Sequence, residues 1–68
     1  MLHFGELDRG IPLDQVQAVA AAHPDVPVHV YEGADHGFNC DARDQYDARS
    51  AAIALGRTLQ FLADNGVV

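Results

Sequence analysis

The order of two kinds of hydrophobic spacing constrains this chain more than any other feature of its sequence. Residues 1–4 are typical of the end of a strand that stops at Gly5, and residues 26–31 alternate apolar and other side chains as a second strand does. Between them, apolar side chains recur at helical spacing from Leu13 until Pro24 ends the run. A strand, helix and strand joined at this length form a right-handed parallel pair.

A second helical stripe follows, and the Asn65-Gly66 pair after it can adopt the left-handed conformation that closes many helices. The stripe comprises Ala48, Ala51, Ala52, Leu55, Leu59 and Leu62. The predicted fold class is therefore α/β, with two parallel strands and two helices in the order β-α-β-α. Two helices leave the edges and part of the faces of such a pair uncovered. We therefore expect association, either with the rest of a larger domain or with a second copy as a homo-oligomer.

Length and charge narrow the function classes. Sixty-eight residues form at most one domain, spanning 1–68, with a marginal core. Ten acidic residues against four arginines give a net charge of −6, which repels phosphate backbones and anionic membrane surfaces, so we expect neither nucleic acid nor a membrane as a partner. One cysteine, no basic-then-apolar leader and no apolar stretch near the roughly 20 residues of a membrane span predict a cytoplasmic location.

The candidate chemistry lies in the loops that follow the two strands. Asp8 is in the first loop and His36 is in the second. Parallel strands place these loops side by side at one sheet edge, about 4.8 Å apart, so a carboxylate and an imidazole can meet there. The order acid then histidine is also that of α/β-hydrolases, whose nucleophile precedes both on a strand-to-helix elbow. The sequence has no such elbow, because Ser50 lies in the predicted last helix and Cys40 follows His36 in its own loop.

Each of these residues also has a simpler interpretation. Asp8 can bond its own backbone in a turn, and His36 can be an exposed loop histidine. Asp35 is read as loop structure, because a sequence neighbour is poorly placed to orient the ring of His36. Cys40 is expected to be a small buried hydrophobic residue. A metal site formed by His36, Cys40 and Asp41 lacks the paired spacing that such sites show, so no metal is expected.

Two long stretches resemble the dienelactone hydrolase family. FGELDRGIP, at residues 4–12, matches the family's acid-bearing loop after its penultimate strand. VHVYEGADHGFNCDAR, at residues 28–43, together with the alanine-rich helix that ends in RTLQFL, resembles its last strand, histidine loop and final helix. The resemblance covers nearly all of the chain. It implies the carboxy-terminal part of an α/β-hydrolase, with Asp8 as the triad acid, His36 as the general base and no cofactor.

The same resemblance bears on substrate and activity. It implies a small-molecule ester or lactone, attacked by an upstream cysteine or serine that this sequence does not contain, so the chain alone should be inactive or nearly so. The family's carboxylate-binding arginine, a turn beyond the histidine, is replaced here by Cys40. Arg43 is the candidate substrate-binding residue, although ion pairs with Asp41, Asp44 or Asp47 are its alternative. A second hypothesis is an inactive truncated product that persists as a self-associating oligomer.

Overall fold

The computed structural model describes residues 1–67, which form four elements in the predicted order. They are β1 (Leu2–Gly5), α1 (Leu13–Ala22), β2 (Val28–Tyr31) and α2 (Ala48–Asp64). The two strands pair in parallel, with Leu2 opposite Val28 and Gly5 opposite Tyr31. The α/β class and the parallel strand pair are therefore confirmed. No helix within the described range is long and apolar enough to cross a membrane.

The parallel pairing continues past the ends of the strands. The amide of Glu6 donates to the carbonyl of Tyr31 at 3.0 Å, and the amide of Leu7 donates to the carbonyl of Ala34 at 2.9 Å. These two hydrogen bonds start the loops after β1 and β2 side by side. The loops that carry the candidate site residues thus emerge together at the carboxyl edge of the sheet, where open α/β folds usually form their sites.

The core lies between the sheet and the amino-terminal half of α2. It consists of the buried side chains of Tyr31, Ala34, Phe38 and Ala54. The ring centroids of Tyr31 and Phe38 are 5.0 Å apart. Since Ala34 and Phe38 belong to the loop after β2, that loop is part of the core, and its backbone path is fixed by apolar packing as well as by hydrogen bonds.

His3 connects the sheet to α2. The hydroxyl of Thr58 donates to the carbonyl of Ala54 at 2.8 Å, so it accepts from Nε2 of His3 at 2.9 Å. Nδ1 of His3 is then left to accept from the hydroxyl of Tyr31 at 2.7 Å. Burial, followed by the nearby His29, lowers the pKa of His3. His3 is a neutral structural histidine, in agreement with its alternation with apolar residues on β1.

The last helix differs from its prediction in which side chains it buries. The apolar spacing predicts a buried stripe through Leu55 and Leu59, but these side chains are 58% and 51% exposed. The helix buries Ala51, as the stripe predicts, together with Ser50 and Ala54, which lie outside the stripe. The sheet in residues 1–67 has only two strands, and these cover one side of the apolar surface of α2. Leu55 and Leu59 lie on the side that they do not cover.

Smaller corrections concern the ends of the elements. Pro12 precedes α1 as its cap, with ψ at 158°, so the helix begins at Leu13 as the apolar spacing predicts. The second strand begins at Val28 rather than at residue 26, because its pairing with β1 starts with Val28 opposite Leu2. Gly66 has φ of +74°, in the left-handed region expected after α2.

Candidate functional site

Gly5 allows the two loops after the strands to approach each other closely. A Cβ atom at this position would lie 2.5 Å from the carbonyl oxygen of Ala34 and 2.6 Å from that of Asp35. A side chain there would therefore collide with the backbone of the opposite loop. A further contact crosses the gap, since the amide of Gly33 donates to Oε1 of Glu6 at 2.9 Å. The absence of a side chain at Gly5 brings the acid loop and the histidine loop together.

The Asp8 carboxylate makes three hydrogen bonds at this edge. Its Oδ1 accepts from the amides of Gly10 at 2.8 Å and Ile11 at 3.1 Å. Its Oδ2 is 2.6 Å from Nδ1 of His36. Asp8 is buried, with 6% of its surface exposed. Asp8 therefore makes two kinds of contact: one oxygen closes the local turn, and the other holds the histidine of the next loop.

The charge on Asp8 determines how His36 is protonated. The hydrogen bond from His36 is the largest cause that lowers the pKa of Asp8, the amides of Gly10 and Ile11 lower it further, and burial opposes them. An ionised carboxylate can only accept hydrogen bonds, so Nδ1 of His36 carries a hydrogen, and in the neutral ring Nε2 keeps a free lone pair. The side chain of His36 is 58% exposed. Its Nε2 can therefore take a proton from a group that approaches from outside the described residues.

A shallow open cleft surrounds this pair, lined by Asp8, Arg9, Gly10, Asp35, His36 and Gln45. Sequence reasoning missed Arg9 and Gln45. Arg9 could have been found from its position beside Asp8, whereas Gln45 lies in an aperiodic segment that offers no spacing signal. Within residues 1–67, no three side chains are placed to hold a metal ion.

Arg43, the predicted substrate-binding residue, does not line this cleft. Its side chain lies over Gly37 instead, with Cδ 3.2 Å and Nε 3.3 Å from where a Cβ of that glycine would be. The alternative of ion pairs with Asp41, Asp44 or Asp47 is wrong, because the part of the chain that the structure describes contains no such pair. Substrate binding by Arg43 stays a prediction.

The structure also shows the surroundings of Asp35, Cys40 and Ser50. Asp35 accepts from the amide of His36 at 2.7 Å, so it is loop structure as predicted. Cys40 is exposed, and the expectation that it is buried is wrong. Ser50 is buried within α2, where its hydroxyl donates to the carboxylate of Asp47. A serine inside a helix has no elbow geometry, in agreement with the sequence prediction.

Comparisons with known proteins agree on one family. The model of the dienelactone hydrolase family matches residues 1–66. The chain is 36% identical over 66 residues to the carboxymethylenebutenolidase of Pseudomonas putida, and 34% identical over 64 residues to an Azospirillum brasilense protein assigned the same name. These matches cover 93% and 90% of this chain, but each covers 28% of the relative.

A solved structure gives the same result in three dimensions. A Klebsiella pneumoniae protein (subsp. pneumoniae MGH 78578), assigned as a dienelactone hydrolase, superposes with a TM-score of 0.73 at 31% identity. The match covers 91% of this chain and 28% of that one. The chain thus spans about 28% of the length of the relatives it matches. From the family match over 1–66 and the shared strand and helix arrangement, we conclude that this chain belongs to the dienelactone hydrolase family.

Proposed function

We propose that this chain supplies the acid and the base of a catalytic triad that hydrolyses ester or lactone bonds, with Asp8 as the acid and His36 as the base. The observation that carries the proposal is the 2.6 Å hydrogen bond between Oδ2 of Asp8 and Nδ1 of His36, with the imidazole open to the cleft. A buried carboxylate that holds one ring nitrogen fixes the tautomer and leaves the other nitrogen to move a proton.

The proton transfers follow from this geometry. Nε2 of His36 takes the proton of a cysteine thiol or serine hydroxyl as its sulfur or oxygen attacks the carbonyl carbon. The imidazolium that results is stabilised by the Asp8 carboxylate. It then donates the proton to the leaving alkoxide as the ester bond breaks. The same Nε2 then takes a proton from a water molecule as its oxygen attacks the acyl carbon, and the imidazolium returns that proton to the cysteine sulfur or serine oxygen as the acyl bond breaks, which releases the carboxylic acid and restores the nucleophile.

The nucleophile and the oxyanion donors must come from other residues of the family domain. The 68 residues contain no G-x-S-x-G or G-x-C-x-G elbow. Loss of one oxyanion donor alone costs about 3 to 4 kcal/mol of transition-state stabilisation. We therefore propose that the active species pairs this chain with the nucleophile-bearing part of such a domain, for which it forms the carboxy-terminal part.

The substrate class is proposed at the level of the bond. The names of the relatives from Pseudomonas putida and Azospirillum brasilense point to a lactone, which is a cyclic ester. Cys40 stands where the resemblance places the family's carboxylate-binding arginine, so the proposal covers small esters and lactones generally. Such substrates are uncharged at the reacting carbonyl, and a net charge of −6 does not exclude them.

A fusion tests the proposal. This chain would replace the matching 66-residue segment of the Pseudomonas putida relative, and hydrolysis of an aryl ester would be followed. We expect hydrolysis to fall at least about 1,000-fold in His36→Ala and Asp8→Ala, since triad members act as a unit. His23→Ala is the matched control, because His23 is an exposed residue at the end of α1. Equal hydrolysis by the His36→Ala and His23→Ala fusions would refute the proposed roles.

The exposed apolar surface favours a second candidate, an inactive self-associating oligomer. Leu55 and Leu59 lie exposed one turn apart on α2, where they form one continuous stripe. Copies of the chain could bury this stripe against each other. Light scattering on the purified chain separates the outcomes. A monomer at all concentrations would contradict self-association. If the purified chain is an oligomer and the fusion does not hydrolyse the aryl ester, the results favour the inactive oligomer over the triad.

A further inference from the structure

The orientation of the His36 ring depends on its backbone. Its side chain is more than half exposed, and the hydrogen bond to Asp8 is the contact that holds the imidazole. An exposed ring with one anchor is fixed in direction only if the peptide groups on both sides of its Cα atom are fixed. The preceding one is held, because the amide of His36 donates to Oδ1 of Asp35 at 2.7 Å.

The peptide group after His36 is held by a residue that lies much further along the chain. The amide of Gly37 donates to Oε1 of Gln45 at 2.7 Å, across eight residues. We propose that Gln45 is a positioning residue for His36, whose amide oxygen fixes this peptide group and so the direction from which the imidazole reaches Asp8. The inference rests on the proposed function, because positioning matters only if His36 transfers a proton.

The site for the Gln45 side chain is built into the loop. A Cβ on Gly37 would lie 2.6 Å from Oε1 of Gln45, so the amide occupies space that only a glycine leaves free. The amide of Asp47 donates to the carbonyl of Phe38 at 2.9 Å, which folds the end of the loop back over its beginning. Phe38 is buried in the core. The path of the backbone therefore places Gln45 over Gly37, so that Gln45 is not a freely moving surface side chain.

The chemistry of the contact requires an acceptor. A peptide N–H can donate only to an oxygen or a similar lone pair, so the amide of Gln45 must present Oε1 to Gly37. Gln45 also lines the cleft beside Asp8 and His36, which places the contact at the wall of the site itself. Removing the acceptor would leave the peptide group after His36 restrained only by the turn around it, which the amide of Phe38 closes on the carbonyl of Asp35 at 3.2 Å, so this peptide group would be held less firmly.

Nuclear magnetic resonance on the 68-residue chain tests the inference through two protons. They are the amide proton of Gly37 and the Nδ1 proton of His36 that is shared with Asp8. We expect Gln45→Met, which keeps the length and loses the acceptor, to raise exchange of the Gly37 amide about fivefold, the size of one net neutral hydrogen bond. The Nδ1 proton should broaden in the same variant. Gln45→Glu restores an acceptor oxygen and should return both signals.

Gln60→Met is the matched control, because Gln60 makes an exposed hydrogen bond to Asp64 on α2, away from the cleft. It should leave both protons unchanged. Gly37→Ala breaks the same contact from the other side; its Cβ would also meet the Arg43 side chain at 3.2 Å, which is flexible and can shift, and φ of Gly37 is not positive, so backbone strain does not confuse the result. Gln45→Met and Gly37→Ala should therefore show no additional loss when combined. If Gln45→Met fails to fold, Gly37→Ala alone decides.

The outcomes separate this inference from the proposed function. Absence of the shared Nδ1 proton in the unmodified chain would overturn the Asp8–His36 pairing, and the positioning inference with it. A shared proton that persists unchanged in Gln45→Met or Gly37→Ala would overturn the role of Gln45 alone and leave the proposed function standing. Fully additive losses in the double variant would also overturn it, because the two residues would then act separately.

Discussion

Substituting Gly5 by alanine should separate the acid loop from the histidine loop. The new Cβ would lie 2.5 Å from the carbonyl oxygen of Ala34, whereas ordinary contact starts at 3.4 Å, so that backbone must retreat by about 0.9 Å. If the histidine loop moves as a body, the 2.6 Å distance between Asp8 and His36 grows to about 3.5 Å. That is the outer limit of a hydrogen bond. One methyl group would thus weaken the pairing to the limit of a hydrogen bond without altering either partner.

The energetic cost can be estimated from the same contact. Overpacking of this kind costs about 1 to 3 kcal/mol, and φ of Gly5 is not positive, so the cost arises from the collision alone. Chains of this size rarely have more than about 3 to 5 kcal/mol of stability. Urea unfolding of Gly5→Ala should therefore show that a large fraction of the free energy of unfolding is lost. The Asp8 carboxyl, followed by carbon NMR against pH, should titrate with its pKa raised back toward the ordinary value.

Gly56→Ala is the matched control for this substitution. Gly56 is exposed in α2, and a Cβ there would have no atom within 4 Å. Alanine should raise the stability by about 0.5 to 1 kcal/mol through helix propensity, and leave the titration of Asp8 unchanged. A Gly5→Ala chain that is as stable as the parent, with the same Asp8 titration, would show that close approach at Gly5 does not hold the two loops together.

Three further expectations follow from the structure. The lowered pKa of Asp8 means that its contribution to stability is present above the unfolded value near 3.9 and is lost as pH falls through the folded value; urea unfolding of the parent and of Asp8→Asn should therefore converge in acid, and parallel stability curves would contradict this. Phe38→Ala should cost about 3 to 5 kcal/mol, because the ring is buried against Tyr31; a loss that equals the whole stability of such a chain should leave it unfolded by circular dichroism, and a folded variant that loses less than about 1 kcal/mol in urea unfolding would show that the loop is not part of the core. If copies associate through α2, the double substitution Leu55→Glu and Leu59→Glu should lower the mass measured by light scattering to that of the monomer, and an unchanged mass would place the interface elsewhere.

The contact between Asp8 and His36 could be predicted because it follows from topology. Two loops that leave neighbouring parallel strands at one edge must start side by side. A carboxylate in one loop and an imidazole in the other can then form a hydrogen bond. The sequence did not predict that Asp8 uses its two carboxylate oxygens for different partners. The sequence allowed a turn aspartate or a histidine partner, and only the structure shows that its two oxygens do one each.

The exposed faces could not be predicted for a different physical reason. Apolar spacing tells which side of α2 can be buried, but not whether a neighbour is there to bury it. Leu55 and Leu59 fit the helical stripe, yet the strands in the described residues leave them uncovered. Burial of Cys40 was predicted wrongly on similar grounds, since residue type gives an average preference and no position.

The contact of Gln45 with Gly37 had no sequence signal at all. Both residues lie in an aperiodic loop, and a glutamine oxygen meeting a backbone amide eight residues away leaves no pattern in composition or spacing. What places them together is the fold of the loop around Phe38, whose side chain is held in the core. Such contacts depend on the tertiary path of the chain, which local preferences do not specify.

The central claim is that Asp8 holds His36 with its hydrogen on Nδ1 and a free lone pair on Nε2. Nitrogen NMR of the His36 ring near pH 7.5 tests it most directly, because protonated and unprotonated ring nitrogens have well-separated shifts. The account expects a protonated Nδ1 and an unprotonated Nε2 in the parent chain, with a mixture of tautomers in Asp8→Ala. A hydrogen on Nε2 with Nδ1 unprotonated in the parent chain, or identical spectra for the two proteins, would contradict it.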